Sequence, residues 1–357
     1  MDSRLAERIF RAYREGLLRP QPLRRSHDPQ FDALITQVLW SKLPVRERLP
    51  VRKIWFRSFQ GLSLCRARRM DESAALFDFC WEMLAHGGLS IQGELIARTF
   101  LESSQAYFEH RRGDFDMART RTRNAMEADL QLEADADFSL LEMHRVQSAN
   151  NLMRIDLRAG EPRRALALAG QILAYLEGFR DELPVHRSWR SDLIRARTPH
   201  PIRHDMISQV ANEAALALRH FPALGLEREL LANVRIESYR DAARVIHPRL
   251  RLWLLAQQAR QEQDWERYFE ALIEFLPLGH AGIHPLWYSA MIDLVRRCRE
   301  LDSGASMLIH NGILRDARRW RWVPAAFRPL LDLDTDGGGE APPPRVQAAG
   351  FGAPRPL

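Results

Sequence analysis

The chain has 357 residues, of which 46% are hydrophobic and 27% are charged, and its formal net charge is +6. This length allows one large or two ordinary domains, and the apolar fraction is ample for a packed core, so a wholly disordered chain is excluded. No apolar run approaches the ~18 residues that a membrane span needs, and the N-terminus lacks the apolar core of a signal peptide. We therefore expect a cytoplasmic globular protein.

Alanine, leucine, arginine and glutamate are plentiful beside few β-branched residues, a balance that favours helix over strand. Only Lys42 and Lys53 of the 52 basic residues are lysine. This bias is typical of a GC-rich coding genome and leads us to expect a bacterial protein. Cys65, Cys80 and Cys298 make no CxxC pair, so we expect buried thiols in a reducing compartment.

Residues 1–49 contain two predicted helices that we expect to cap the fold. The first, Leu5–Leu18, is amphipathic, and the second, Phe31–Lys42, ends before Pro44. The apolar stripe of the first consists of Leu5, Ile9, Phe10, Tyr13 and Leu17. A membrane-surface or partner-binding helix is the alternative for this stripe.

The N-terminal part is also the basic part of the chain. Residues 1–70 carry 16 basic and 6 acidic groups, a net charge of +10, which leaves 6 − 10 = −4 for the remainder. A basic end of this kind could contact nucleic acid or an acidic partner. No helix-turn-helix or other nucleic-acid reading element accompanies it.

Residues 50–181 show the 3.6-residue apolar period of three antiparallel helical hairpins. In the second hairpin, two periodic segments meet at Gly113-Asp114, where glycine can end one helix and aspartate can cap the next. Small residues stand where these two helices would touch, namely Ala106, Ala118 and Ala125. The third hairpin turns at Gly160-Glu161-Pro162, with proline in the first helical turn.

This pattern resembles the tetratricopeptide repeat, in which a small residue on helix A, a Gly-Asp-aromatic turn and two alanines on helix B recur. Here Phe115 follows Gly113-Asp114, and the equivalent alanines of helix B, Ala74, Ala118 and Ala165, are 44 and 47 residues apart. The standard period is ~34 residues, so we expect longer helices or inserted loops. The resemblance implies an all-α fold, a right-handed α-solenoid of about six antiparallel hairpins that bury their apolar faces against each other.

The second half of the chain divides into three predicted segments. Residues 182–205 are rich in arginine and proline, and we expect a long connection there. Residues 206–332 are predicted to form the fourth, fifth and sixth hairpins. Residues 333–357 have many glycines and prolines and few large apolar groups, so we expect a disordered tail.

The predicted hairpins of residues 206–332 are less regular than those before. The fourth and sixth are formed by Met206–His220 with Leu224–Val245 and by Pro285–Glu300 with Ser303–Arg319. In the fifth, Gln263 stands at the turn glycine and Tyr268 at the helix B alanine. The pair Trp320 and Trp322, flanked by arginines, either closes the last hairpin or forms a contact surface.

The common signatures of phosphate binding, zinc proteolysis and acyl transfer are absent, since GxGxxG, GxxxxGK[ST], HExxH and GxSxG do not occur. One metal-like spacing, His200, His204 and Asp205, would place two imidazoles one helical turn apart beside a carboxylate. Pro201 indicates a helix start within this set, so metal binding is the less favoured interpretation. We expect no cofactor.

The remaining candidates for acid or base chemistry are scattered. Glu94, Glu102, Asp137 and Glu142 are expected on solvated helix faces, where they make no recognisable pair. His144 is expected in a groove or in the core.

In the tetratricopeptide repeat, helix A lines the concave surface and supplies the ligand contacts. Counted from the turns at Gly113, Gly160 and Gln263, the corresponding positions are polar or aromatic, rich in arginine and free of acids. They are Ser103, Tyr107, His110, Arg111, Gln147, Asn150, Arg154, Arg158, Trp253, Gln257 and Arg260. Arginine pairs bidentately with carboxylate and phosphate, so such a groove favours an acidic ligand. The other interpretation is that a chain so rich in arginine has basic groove positions by chance.

We therefore expect a non-enzymatic interaction scaffold or adaptor that binds an acidic peptide or protein segment in a groove rich in arginine and asparagine. The alternative is a helical regulatory or accessory subunit that binds a small acidic ligand. A metal-dependent enzyme that uses residues 182–205 is the least favoured of the three. The expected partner is a protein or peptide, and not a nucleic acid.

Overall fold

The computed structural model describes residues 1–19, 39–136, 138, 141–222, 225–320 and 323–333. Within these ranges the chain forms α-helices, short 3₁₀ turns and loops, and it contains no β-strand. The all-α fold expected from the sequence is confirmed. Among the described helices, none is both long and apolar enough to cross a lipid bilayer.

Fourteen α-helices lie wholly within the described residues. They are α1 (Ser3–Leu18), α2 (Val45–Arg66), α3 (Met70–His86), α4 (Ile91–Arg112), α5 (Phe115–Ala136), α6 (Leu141–Arg158), α7 (Pro162–Glu177), α8 (Ser191–Arg197), α9 (His200–His220), α10 (Glu227–Val234), α11 (Pro248–Gln261), α12 (Trp265–Phe275), α13 (His284–Leu301) and α14 (Gly304–Ala317). Short 3₁₀ turns occur at Ile236–Arg240, Ala242–Arg244, Leu276–Leu278, Ala325–Phe327 and Pro329–Leu331.

The helices belong to two compact units that are interleaved along the chain. One unit holds the described residues of Met1–Arg24, Ala169–Phe179 and Arg203–Ala348. The other holds the described residues of Arg25–Leu168 and Arg180–Ile202. The segments predicted from the sequence are contiguous, whereas each of these units collects stretches that are distant in sequence.

The hairpin of α4 and α5 forms as its sequence indicates. Gly113 takes a left-handed conformation, with φ +89°, and ends α4, and Asp114 accepts a hydrogen bond from the Met117 N–H at 3.0 Å. Ala118 and Ala125 are fully buried. Because these alanines have small side chains, the two helices can approach each other closely.

The neighbouring hairpins also have a small residue at the contact between helices or a glycine at the turn. Between α2 and α3, a Cβ atom on Gly61 would lie 3.1 Å from the Phe77 ring, so glycine allows this helix to pack tightly. Gly160, with φ +80°, ends α6, and α7 begins at Pro162 as predicted. Ala165 on α7 is fully buried.

The hairpin of α11 and α12 has no turn glycine. Gln263 takes the left-handed conformation instead, with φ +59°, and Asp264 caps α12 by accepting the Arg267 N–H at 3.1 Å. Tyr268 occupies the expected alanine position and is 1% exposed. A bulky residue can therefore replace the alanine at this position of the chain.

The predicted second helix of the fourth hairpin, Leu224–Val245, is wrong. The structure has a shorter helix, α10, followed by two 3₁₀ turns between Ile236 and Arg244. Arg235 adopts a left-handed conformation, with φ 57°, which ends α10. The connection predicted for residues 182–205 also contains the short helix α8 and the start of α9.

Helix α1 belongs to the unit that contains the C-terminal helices, and it packs against α12 and α14. The Tyr13 hydroxyl donates a hydrogen bond to the Asp316 carboxylate at 3.0 Å, and Arg8 pairs with Glu270 at 2.8 Å. Ile9 and Tyr13, from the predicted apolar stripe, are fully buried. The core of this stripe is thus covered by the protein itself and does not face a membrane or a partner.

Two predicted elements lie outside the described residues. These are the first part of the helix over Phe31–Lys42, of which residues 39–42 are described and helical, and the tail after Leu333.

We expect Ala118→Leu to destabilise the protein by ~1–3 kcal/mol, because the added atoms would overpack the contact between α4 and α5. Chemical denaturation measures this change. Ala75→Leu on α3 is the matched control, since Ala75 is exposed and the same substitution there should be nearly neutral. Equal stability of the two variants would show that Ala118 tolerates bulk.

Candidate functional site

The predicted groove positions on α4 coincide with the partly exposed stripe of that helix. Between Glu102 and Arg112, every residue is buried except Ser103, Tyr107, His110 and Arg111, which are half-buried. The Tyr107 and His110 rings have centroids 6.0 Å apart. Helical periodicity accounts for the stripe, because residues three or four positions apart in a helix lie on the same face.

The predicted positions on α6 divide into a buried and an exposed part. Gln147 and Asn150 are 3% and 0% exposed, whereas Arg154 is half-buried and Arg158 is exposed. Asn151, which was not predicted, is half-buried on the same face and accepts a hydrogen bond from Arg154 Nη1 at 2.8 Å. The surface stripe of α6 therefore begins at Asn151, four residues after the first predicted position, Gln147.

His110 lies among arginines of both helices. The pKa of its imidazole is lowered to about 4, first because the ring is largely withdrawn from water and then because Arg158, Arg111 and Arg154 repel an added proton. The ring is therefore neutral at neutral pH. Three guanidinium groups from α4 and α6 thus act on one uncharged histidine.

A further arginine, Arg66 at the end of α2, joins this surface. Its guanidinium carbon lies 5.8 Å from the centroid of the Tyr107 ring, the geometry of a cation–π contact. Sequence spacing could have identified it, since Arg66 lies eight residues before Ala74, and Arg111 lies seven before Ala118. We call the surface formed by Arg66, Tyr107, His110, Arg111, Arg154 and Arg158 the arginine face.

Three residues of the arginine face have no acidic partner in the described part of the chain. Among the described residues, no carboxylate lies within salt-bridge distance of Arg66, Arg111 or Arg158. Elsewhere in the same unit several arginines are paired, although Arg52, Arg68 and Arg123 also have no carboxylate partner among the described residues. Arg119 contacts three acids, among them Asp156 at 2.9 Å and Glu161 at 2.8 Å. What distinguishes Arg66, Arg111 and Arg158 is that they lie together, around Tyr107 and His110.

Buried polar atoms without a hydrogen-bond partner occur at the same helix positions. Within the described part of the chain these are Ser103 Oγ, Gln147 Oε1 and both amide atoms of Asn150. Native interiors satisfy nearly all such groups, and leaving one unpaired costs ~1–3 kcal/mol. These atoms lie at the predicted helix positions but beneath the surface, since Gln147 and Asn150 are 3% and 0% exposed.

The predicted positions of the fifth hairpin lie in the interior of the other unit. Trp253 is fully buried, and Gln257 donates to Asp293 at 3.0 Å. Arg260 donates to Glu227 on α10 at 2.7 Å. The acids come from α10 and α13, which the repeat register could not reveal. This environment does not suit a direct ligand contact by Trp253 or Gln257.

The segment predicted as a functional insert is held by a buried arginine. Arg145 on α6 is fully buried, forms a bidentate pair with Glu133 at 2.8 Å, and donates to the backbone carbonyls of Arg187 and Ser188, each at 3.0 Å. Its guanidinium also lies 4.5 Å from the centroid of the Trp189 ring. Residues 187–189 are thereby attached to α5 and α6, which is a structural role.

The expectation that Glu102 and Glu142 lie on solvated faces is wrong. Glu102 is 4% exposed and accepts from Arg121 at 2.9 Å, and Glu142 is fully buried and accepts the Arg190 N–H. Glu94 is half-buried and paired with Arg98, and Asp137 lies outside the described residues. Paired carboxylates can be buried because the ion pair or hydrogen bond replaces their hydration.

His144 is buried and forms a pair with an aspartate. Its Nδ1 lies 2.6 Å from Asp129 Oδ2, and Asp129 also accepts from the Thr99 hydroxyl at 2.7 Å. Burial disfavours the charged imidazole, but the attraction and hydrogen bond of Asp129 outweigh this, so the pKa of His144 is raised. The imidazolium form is thus favoured, which suits an internal ion pair better than a base.

The candidate metal ligands His200, His204 and Asp205 lie at the start of α9, whose first residue is His200. The His204 ring stacks on the His247 ring with centroids 4.1 Å apart. Among the described residues, no group of three or more His, Cys, Asp or Glu side chains is placed to hold a metal ion. The structure therefore adds no ligand to this set.

A serine–histidine pair in the same unit does not have the geometry of a nucleophile and its base. His247 Nδ1 accepts the Leu250 N–H at 3.0 Å, so we assign the proton of the neutral ring to Nε2. Nε2 then donates to Ser208 Oγ at 2.8 Å. Burial, followed by His204 and Arg249, lowers the pKa of His247 to about 2. This nitrogen cannot take the serine proton.

Trp320 packs against the aromatic residues of α13. Its ring stacks on Tyr288 with centroids 4.8 Å apart, and it lies 5.4 Å from Trp287. It is therefore engaged within the fold, while Trp322 lies outside the described residues.

No protein-family model matches this chain, and neither does any curated protein or solved structure. The function of this chain therefore has to be inferred from its own site.

The His110 ring provides a test of the arginine face. We expect its titration midpoint, followed by NMR and assigned with His110→Gln, to lie near pH 4 and to rise in Arg158→Gln, because one repelling charge is removed. Arg123→Gln on α5, an exposed residue, should leave the midpoint unchanged. A midpoint near 6.5 in the wild-type protein would contradict the described environment.

Acid should also weaken the fold through this residue. The unfolded chain binds a proton at His110 below pH ~6.5, whereas the folded chain does so only near pH 4. Stability contributed by neutral His110 is therefore present above this window and is lost as pH falls through it. Urea unfolding of wild type and His110→Gln between pH 7 and 4 measures the difference, and the variant should show the smaller acid loss.

We expect Arg145→Met to destabilise the protein by ~3–5 kcal/mol, because it leaves the Glu133 carboxylate buried without its cation. Limited proteolysis should then cut near residues 182–190. Arg187→Ala is the control, since its pair with Glu127 is largely exposed and is worth ~1 kcal/mol or less. Adding Glu133→Leu to Arg145→Met should restore part of the stability. If Glu133→Leu restores no stability, the loss in Arg145→Met comes mainly from the hydrogen bonds to the carbonyls of Arg187 and Ser188.

Proposed function

We propose that this chain is a non-enzymatic interaction scaffold or adaptor, and that its arginine face binds an acidic segment of another protein. The observation that carries the proposal is the absence of a carboxylate partner for Arg66, Arg111 and Arg158 among the described residues, beside many paired arginines in the same unit. The right-handed, tetratricopeptide-like arrangement of the hairpins and a cytoplasmic location are part of this proposal.

The electrostatics of the arginine face support an anionic partner. The guanidinium groups of Arg158, Arg111 and Arg154 disfavour a further positive charge among them, which is, after burial of the ring, the second cause of the lowered pKa of His110. A carboxylate placed among them would relieve the repulsion and could form bidentate, charge-assisted hydrogen bonds. Lysine would be less suited, because its ammonium group lacks the planar fork of arginine.

A small acidic ligand, bound by a helical regulatory or accessory subunit, is the second candidate. The buried and unpartnered atoms of Asn150 and Gln147 favour it, since a small molecule could reach between α4 and α6 more readily than a side chain of a folded partner. Such a ligand would use the same arginines.

The test is a binding assay by fluorescence anisotropy with a labelled glutamate-rich peptide at fixed salt. We expect Arg111→Ala and Arg158→Ala each to weaken binding by ~1.5–3 kcal/mol, the contribution of a charge-assisted hydrogen bond. Stability should change little, because neither side chain has an acidic partner to lose.

Arg123→Ala is the matched control, because Arg123 is exposed on α5 and carries the same charge. If it weakens binding as much as Arg111→Ala does, net charge and not the arginine face is responsible, and the proposal fails. Competition by succinate at concentrations below those of the peptide would favour the small-ligand candidate.

A further inference from the structure

Helix α2 presents large apolar side chains to water. Val45, Leu49 and Phe56 are 77%, 75% and 42% exposed, and exposed apolar side chains of this size are few among the described residues. Single exposed apolar residues are normal in proteins, whereas a contiguous patch of them marks an interaction site. Their positions around the helix decide between these two cases.

The three residues lie on one line of α2. An α-helix turns by about 100° per residue, so Val45, Leu49 and Phe56 fall within about 40° of each other around the axis. The opposite side of the helix carries Val51 and Ile54, which are buried in the core. The three exposed side chains therefore form one patch on the outer side of a helix whose inner side is already packed.

Basic side chains flank this line on both sides. By the same geometry of about 100° per residue, they are Arg48 and Arg52 on one side and Lys53 and Arg46 on the other, all of them exposed. Glu47 is the acid of α2, and it is buried and accepts a hydrogen bond from the Ser90 hydroxyl at 2.6 Å. We call the surface formed by the apolar line and these four basic residues the outer face of α2.

We propose that the outer face of α2 binds the surface of an anionic lipid bilayer, with its apolar line inserted at the boundary of the acyl chains and its basic residues paired with lipid phosphate groups. A helix with an apolar strip bordered by arginine and lysine lies in the plane of a membrane surface in this way. Each basic group close to an anionic bilayer adds to the attraction. The arginine face, which the proposed function requires, shares no residue with this surface.

A lipid surface suits the outer face of α2 better than an acidic protein does. Val45 and Leu49 are so widely exposed that they protrude from the surface and do not line a groove. Acyl chains accommodate protruding side chains of any shape, whereas a protein partner needs a complementary pocket for each of them.

The basic residues of the outer face also fit this arrangement. Long basic side chains can keep their apolar stems near the acyl boundary while their charged ends reach the headgroups. The Lys53 ammonium lies 5.9 Å from the centroid of the Phe79 ring on α3, which is exposed as well. Phe79 therefore adds apolar surface beside the flanking charge.

Cosedimentation of the full chain with lipid vesicles is the first experiment. We expect binding to vesicles of phosphatidylcholine mixed with phosphatidylserine, and binding at least about tenfold weaker to phosphatidylcholine alone. Leu49→Ser should weaken binding to the mixed vesicles by about tenfold, because a leucine side chain no longer leaves water. Arg52→Gln should weaken it by about fivefold, the effect of one basic group near an anionic surface.

Two exposed residues outside the outer face of α2 provide matched controls. Leu308 on α14 is also 75% exposed, so Leu308→Ser removes an equivalent leucine, and Arg123→Gln on α5 removes an equivalent charge. Neither variant should change vesicle binding. Because all four replaced side chains are exposed, the variants should keep the stability of the wild type, which chemical denaturation verifies.

A fluorescent label reports insertion at a single residue. The three native cysteines are buried, so a thiol-reactive nitrobenzoxadiazole dye should label Leu49→Cys selectively. We expect its emission to move to shorter wavelength when mixed vesicles are added, because the dye enters an apolar environment. The same dye on Leu308→Cys should keep its emission.

Absence of binding to the mixed vesicles, or equal losses in Leu49→Ser and Leu308→Ser, would overturn the proposal. Equal binding to both kinds of vesicle would show that the flanking charges take no part, and would overturn it too. An acidic amphipathic peptide that shifts the emission of labelled Leu49→Cys, where mixed vesicles do not, would show that the outer face of α2 binds a protein instead.

Discussion

The close contact between α4 and α5 is the constraint on which the described surface depends. Ala118 and Ala125 are fully buried there, and Gly113 turns the chain so that the two helices lie antiparallel. Because this contact and the packing against α2 bury most of α4, only a narrow stripe of that helix reaches the surface. That stripe holds Tyr107, His110 and Arg111, and its direction is a consequence of how the other faces are packed.

Ion pairing differs between this surface and the interior of its unit. The chain has 52 − 2 = 50 arginines, so basic positions by themselves carry little information. What carries information is pairing, since Arg119, Arg121 and Arg145 are all matched with carboxylates. Buried or half-buried arginines require such partners, because an uncompensated charge removed from water is costly. Arg111, which is half-buried, departs from that rule, whereas Arg66 and Arg158 are exposed to water.

The buried titratable groups outside the arginine face form structural contacts that hold the fold together. Arg145 attaches residues 187–189, Arg219 pairs with Asp293 inside the other unit, and Asp129 joins His144 to Thr99. Strongly shifted pKa values often mark catalytic sites, but structural networks produce them as well. His247 illustrates the difference, since its lowered pKa accompanies a tautomer that cannot act as a base toward Ser208.

Local sequence determined the helices and most of their ends. The turn at Gly113-Asp114, the start of α7 at Pro162 and the stripe of α4 all follow from short-range rules, because helix caps and helical periodicity involve residues only a few positions apart. The packing of α1 against α12 and α14, the acids beside Arg260 and the attachment of residues 187–189 to Arg145 could not be predicted. These contacts join residues distant in sequence, so only the tertiary structure decided which arginines lie beside carboxylates and which, among the described residues, do not.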